Sequence, residues 1–152
     1  YNVNELNPAS LSIDFLNEWF FKTMHHEFAH ILHQTKNYST DFNLISTDYQ
    51  GPSWLNLESD AEANSMGYVT RYASYSPDED FVEIISNYVT HAKGYWEGIL
   101  ANAGTEGGEK LTQKFEIVRN YLQESWGIDI DKLRDIVQKR SGNLSQLDLT
   151  TF

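Results

Sequence analysis

Thr23-Met-His-His-Glu-Phe-Ala-His-Ile-Leu-His33 decides how the rest of this chain is read, because it contains His26-Glu27-Phe28-Ala29-His30. Residues i and i+4 of a helix stand one turn apart on one face, so two imidazoles at that spacing can reach a single metal ion. Glu27 lies about 100° round the helix from His26, where its carboxylate can stand beside a metal-bound water without ligating the metal. Zn²⁺ held by two imidazoles and a third protein ligand keeps one position for water and lowers its pKa to about 7. The stretch therefore predicts a zinc site in which His26 and His30 are ligands and Glu27 is the general base for peptide or amide hydrolysis.

The setting supports more than a chance match. From Leu11 to His33 the chain is apolar almost all round, as expected of a helix buried within a domain. Four of the five histidines (His25, His26, His30 and His33) fall inside that segment, and a buried imidazole without a partner is costly.

Composition limits the alternatives. With 152 residues, 40% of them hydrophobic, the chain has enough apolar surface for a sizeable core and reads as a single domain over 1–152. A net charge of −11 offers no basic patch for nucleic acid or anionic membrane. The absence of cysteine excludes disulfides and thiolate metal sites. Within these 152 residues there is no apolar run of 18 residues, and no signal-peptide pattern is detected. Only about 20 residues precede the motif, whereas zinc hydrolases of this type place a small sheet before the active-site helix. The expectation is a mainly α fold, the C-terminal part of a zincin-like catalytic domain without its N-terminal sheet, with any targeting signal or lipid-anchor cysteine upstream.

In chain order, Tyr1–Leu6 reads as a tail, and Asn7-Pro8 opens a helix predicted to reach Gln34. Asn37–Ser53 reads as a loop whose Phe42, Leu44, Ile45 and Tyr49, with Trp54 beyond, either anchor a surface segment or form one wall of a cleft. Ser59 to Gly67 reads as a short helix stopped by Gly67; its Asp60 and Glu62 are reserve ligands or part of a solvated face. Tyr68–Tyr75 reads as extended or irregular. Ser76-Pro77 with Glu79 is a capping box, and Phe81, Ile84, Ile85, Tyr88 and Val89 give the helix after it one apolar stripe.

Glu79 and Glu83 lie off that stripe, one turn apart, a like-charge pairing that a nearby cation would turn favourable. Either Glu79 merely caps the helix, or it is the third zinc ligand with Glu83 behind it receiving a ligand histidine's ring N–H; the second reading is preferred. Beyond, the helix is expected to end near Lys93-Gly94, and Gly104–Gly108 reads as a mobile linker. Lys110–Ser125 is predicted helical with Gly127 as stop. Asp129 caps a last helix carrying Leu133, Ile136 and Val137 and ending at Gly142, before a tail from Asn143.

Phe21 to Gln34, Tyr72-Ala73 and Ser76-Pro77-x-Glu79-Asp80-Phe81-x-Glu83 together resemble the zinc-binding metallopeptidase lipoproteins of Bacteroides-type bacteria, gluzincins whose site layout is similar to that of the anthrax lethal factor protease. The resemblance implies Glu79 as third ligand, Glu83 behind it, and Tyr72 as the hydroxyl that stabilises the oxyanion. It also implies a peptide or protein substrate and an extracytoplasmic, cell-surface location reached through an upstream lipid anchor. A metzincin third histidine is excluded, since Lys36 stands where it would fall. The rival expectation is a non-catalytic extracytoplasmic module that holds a glycan or peptide on a peptidase scaffold.

Overall fold

The computed structural model describes residues 15–143, so Tyr1–Leu6, the Asn7-Pro8 helix opening and the tail after Asn143 lie outside the described residues. A π-helical turn, Leu16–Phe21, runs directly into α1, Lys22–Thr35. Then come α2 (Phe42–Ile45), a 3₁₀ turn (Gly51–Asn56), α3 (Asp60–Met66) and a second 3₁₀ turn (Tyr72–Tyr75). The chain finishes with α4 (Pro77–Thr90), α5 (Lys93–Trp126) and α6 (Ile130–Asn143). The fold is mainly helical, and no strand occurs among the described residues.

Local signals set most of the ends. Ser59 accepts from the Glu62 amide and Ser76 from the Glu79 amide, which satisfies donors that the first turn of a helix leaves unpaired. Asp129 Oδ1 accepts from the amides of Asp131 and Lys132 at the start of α6. Gly67 and Gly127 end α3 and α5 in the left-handed region (φ 93° and 67°), where a side chain would be strained.

Four sequence expectations are corrected. Asn37–Ser53 holds α2, which packs on α5, and the start of a 3₁₀ turn, while Tyr68–Tyr75 ends in another, which packs on α4; the Gln50 amide donates to the Ser74 carbonyl and ties the two segments together. α4 stops at Thr90, three residues early: His91 turns extended and its ring nitrogen reaches back to the Asn87 carbonyl at 3.0 Å. The glycine-rich 104–108 segment is no linker. Only Gly104 leaves helical geometry (φ 65°), which kinks α5, and the helix resumes at once. Gly107 lies against α3 so closely that a Cβ would stand 2.3 Å from the Asn64 carbonyl oxygen, so glycine here serves helix contact.

The fourth correction exchanges the roles of two helices. α1, expected to be buried all round, leaves Met24, Phe28 and Ile31 more than half exposed. α4, read from the sequence as having one apolar stripe, is buried at every position from Asp80 to Thr90. Its polar residues can enter the core because each finds partners there. Lys114 of α5, with no exposed surface, sets its ammonium 2.6 Å from Asp80 Oδ2 and donates to the Gly67 carbonyl at 2.7 Å. The Tyr49 hydroxyl donates to the same Asp80 oxygen at 2.9 Å, and the Tyr68 ring lies under the ammonium at 4.3 Å. This network pins α4 next to Glu79. Complete burial still pushes the Asp80 carboxyl up, to about 6, against the pull of Lys114.

Removing one member of such a pair leaves a buried charge uncompensated. Lys114→Met is expected to cost about 3–5 kcal/mol in urea unfolding, with part recovered by adding Asp80→Asn. Gly107→Ala should destabilise by about 1–3 kcal/mol through overpacking. Gly98→Ala, in α5 with open space around it, should stabilise by about 0.5–1 kcal/mol.

Candidate metal centre

α1 presents His26 and His30 one turn apart toward the N-terminal turn of α4, where Ser76 and Pro77 start the helix and place Glu79 in its first turn. Because the Ser76 hydroxyl accepts from the Glu79 amide, the capping need is met there. The Glu79 carboxylate reaches across: Oε2 is 3.1 Å from His26 Nε2 and 3.5 Å from His30 Nε2. One ligand atom from each of the three residues lies within 4.8 Å of the others.

The hydrogen bonds behind this triad fix which atoms face inward. His26 Nδ1 is 2.9 Å from Glu83 Oε1, and a carboxylate can only accept, so the nitrogen donates and Nε2 turns to Glu79. Glu83 is almost wholly buried and further held by the Thr70 hydroxyl (2.7 Å), the Asn87 amide (3.2 Å) and the Lys22 ammonium (3.4 Å). Burial pushes its carboxyl up, but the His26 hydrogen bond, Lys22 and Thr70 outweigh that and hold it down at about 2. His26 answers in kind: burial pulls its pKa down, while Glu83 and then Glu79 and Glu27 raise it above the ordinary value.

The donor set fits a divalent cation. Glu79 Oε2 is buried and has no hydrogen-bond partner among the described residues, yet two imidazole nitrogens converge on it. Lone pairs meeting in this way repel one another unless a cation lies between them. In the metal-free protein a proton on His26 meets the same need, and its pKa is raised first by Glu83 and then by Glu79. Two imidazoles and a carboxylate with no sulfur are a donor set suited to zinc.

Tyr72 and Glu27 flank the triad. The Tyr72 ring centroid is 6.0 Å from that of His26 and 5.2 Å from that of Trp54. Burial, and then the charge and hydrogen bond of Glu79, push the Tyr72 hydroxyl up to about 12, so it keeps its proton at neutral pH. Glu27 is exposed and lines a groove of about 550 Å³ together with Trp19, Met24, Phe28 and Ile31.

The structure thus brings together His26, His30, Glu79, Glu83 and Tyr72. It gives the reserve carboxylates other work: Asp60 accepts from the Arg71 amide and Glu62 from the Glu58 amide. Thr70, Lys22, Asn87 and His33 escaped the sequence reading. Lys22 and Asn87 each lie four residues from a named site residue, and His33 three from His30, so helical spacing carried outward from the motif would have found them. Thr70 had no such signal; its hydroxyl also accepts from the Ala73 amide at 3.2 Å, tying the Tyr72 turn to Glu83.

Residues 1–131 match the family described as "Putative zinc-binding metallo-peptidase". Among solved structures, a crystal structure of a "putative zinc-binding metallo-peptidase" from Bacteroides caccae ATCC 43185 is similar, at 40% identity and a TM-score of 0.87 over 98% of this chain. The chain spans 56% of that protein's length. No curated protein matches.

The paired shifts set a pH window for the metal-free protein. Glu83, held below its unfolded value of 4.5, contributes stability above that pH and loses it as pH falls through about 2. His26, raised above 6.5, contributes below 6.5 and loses it as pH rises through its folded pKa. Urea unfolding of metal-free protein should therefore show stability falling from pH 4.5 toward 2, with on the order of 3 kcal/mol from this carboxylate. That decline should be smaller in Glu83→Gln.

Proposed function

Since the chain belongs to the family of "putative zinc-binding metallo-peptidases", we propose that it is the site-bearing part of a zinc peptidase of the gluzincin type, which hydrolyses peptide bonds. The observation that carries this is the unshared Glu79 Oε2 facing two imidazole nitrogens, with a base and a protonated phenol beside them. His26, His30 and Glu79 would hold Zn²⁺. When bound, the ion supplies Lewis acidity, polarising a carbonyl and lowering the pKa of a coordinated water to about 7.

The chain's own residues supply the rest. Glu27 is exposed on the groove side of α1, next to His26, where it can take a proton from the attacking water and later pass it to the leaving amine. Tyr72 donates its hydroxyl where negative charge develops on the carbonyl oxygen, an interaction stronger in the transition state than in the substrate. Glu83 holds the His26 ring in one tautomer, and Thr70 couples Glu83 to the turn that carries Tyr72. The apolar groove beside Glu27 favours a peptide over a strongly charged ligand. The family resemblance supports an extracytoplasmic, lipid-anchored setting for the full-length protein, and we include it in the proposal.

Elemental mass spectrometry after dialysis should find about one zinc per chain, and Glu79→Ala should lose it. Glu27→Ala should keep zinc and lose about 10²–10⁴-fold in kcat/KM on a peptide library. Tyr72→Phe should lower kcat by about 10²–10³-fold with KM little changed. Zinc-free wild-type protein, or undiminished hydrolysis by Glu27→Ala, would overturn the reading.

A further inference from the structure

We propose that His33 is a positioning residue of the metal centre: its Nε2 accepts the hydrogen bond from His30 Nδ1 and thereby keeps His30 Nε2 turned toward the metal position. The inference rests on the zinc-site reading above and adds a residue to it.

With His30 Nε2 as a ligand atom, one arrangement of protons is consistent with the geometry. His30 Nδ1 and His33 Nε2 are 3.0 Å apart, close enough that one must donate and the other accept. His30 Nε2 faces Glu79 Oε2 at 3.5 Å and must present its lone pair there to serve as a ligand. A neutral imidazole carries one ring proton, so that proton lies on His30 Nδ1. His33 Nε2 is then the acceptor, and the His33 proton lies on its Nδ1.

His33 is held for this task. It stands three residues beyond His30 on α1, the spacing at which helical side chains meet, and is only 8% exposed. The Tyr38 and Phe81 rings meet it edge-on at centroid distances of 5.6 and 6.2 Å. Tyr38 itself is stacked flat on Phe81 at 4.1 Å and donates its hydroxyl to Asp78. These contacts leave the His33 ring little freedom to rotate away from His30.

The two ligand histidines are therefore backed by different acceptors. His26 leans on a carboxylate, Glu83, itself met by Lys22, Thr70 and Asn87. His30 leans on a neutral imidazole in an aromatic wall. A carboxylate in place of His33 would add a fourth acid to a site that already gathers Glu27, Glu79 and Glu83. An uncharged acceptor fixes the tautomer without that repulsion.

The test compares wild-type protein with His33→Leu and His33→Gln, measuring zinc affinity by chelator competition and the visible spectrum of the cobalt-substituted site. Thermal unfolding of the metal-free forms reads any purely structural effect. His33→Leu should bind zinc about 10–100-fold more weakly, and His33→Gln, whose amide oxygen can accept from the same nitrogen, should regain most of the affinity and the wild-type cobalt spectrum. Folded His33→Leu with wild-type affinity, or His33→Gln as weak as His33→Leu, would overturn the inference.

Nitrogen-15 NMR of zinc-loaded wild-type protein decides the matter even if His33→Leu does not fold. A His33 proton on Nδ1 supports the role, and one on Nε2 overturns it. Wild-type protein that binds no zinc would overturn the site reading and this inference with it, whereas tight wild-type binding with an indifferent His33→Leu would remove only the inference.

Discussion

A carboxylate inside a helical core is tolerated only if its charge is met, and Glu83 is the point where this protein meets that condition. Four donors converge on it: His26 Nδ1, the Thr70 hydroxyl, the Asn87 amide and the Lys22 ammonium. They come from α1, from the segment before the Tyr72 turn and from α4 itself. One buried charge thus fixes the relative position of the elements that carry His26, His30, Glu79 and Tyr72. Satisfied in this way, the network orients His26; with any partner removed, the desolvation cost of the carboxylate returns.

The same logic explains why α4 can be buried on every side. Asp80 is answered by Lys114 and Tyr49, Ser86 and Thr90 donate to carbonyls of their own helix, and Asn87 reaches back to Glu83. Asp80 and Glu83 bracket the core side of the first turn beyond Glu79, so the anchors that stabilise the fold also hold the Glu79 carboxylate in place. Stability and site geometry are coupled here through shared residues, and substitutions at Asp80 or Lys114 are not independent of the site.

Apolar pattern proved ambiguous where the helix caps did not. Apolar residues run almost all round the segment containing α1, yet Met24, Phe28 and Ile31 are exposed beside Glu27. α4 shows a clean stripe, yet its polar positions are buried too. Hydrophobic periodicity reports which residues favour burial and says nothing of whether a polar residue has found a partner from a distant part of the chain. The glycine cluster failed in the same direction. Gly104 kinks α5, whereas Gly107 is small because Asn64 of α3 lies against it, a contact 43 residues away in sequence.

What the sequence determined is what short-range chemistry controls. The i, i+4 histidines with the intervening glutamate, the Ser76 and Asp129 caps, and the Gly67 and Gly127 stops depend on atoms within one helical turn, and all were legible from spacing. Tertiary structure decided what depends on distant partners: Glu79 meeting the two histidines, Glu83 serving His26, Thr70 joining Glu83 to the Tyr72 turn, and Lys114 neutralising Asp80. The family pattern pointed to Tyr72, which spacing alone does not distinguish from eight other tyrosines. His33 stands between the two: its distance from His30 is written in the helix, but its burial against Tyr38 and Phe81 exists only once α4 has packed on α1.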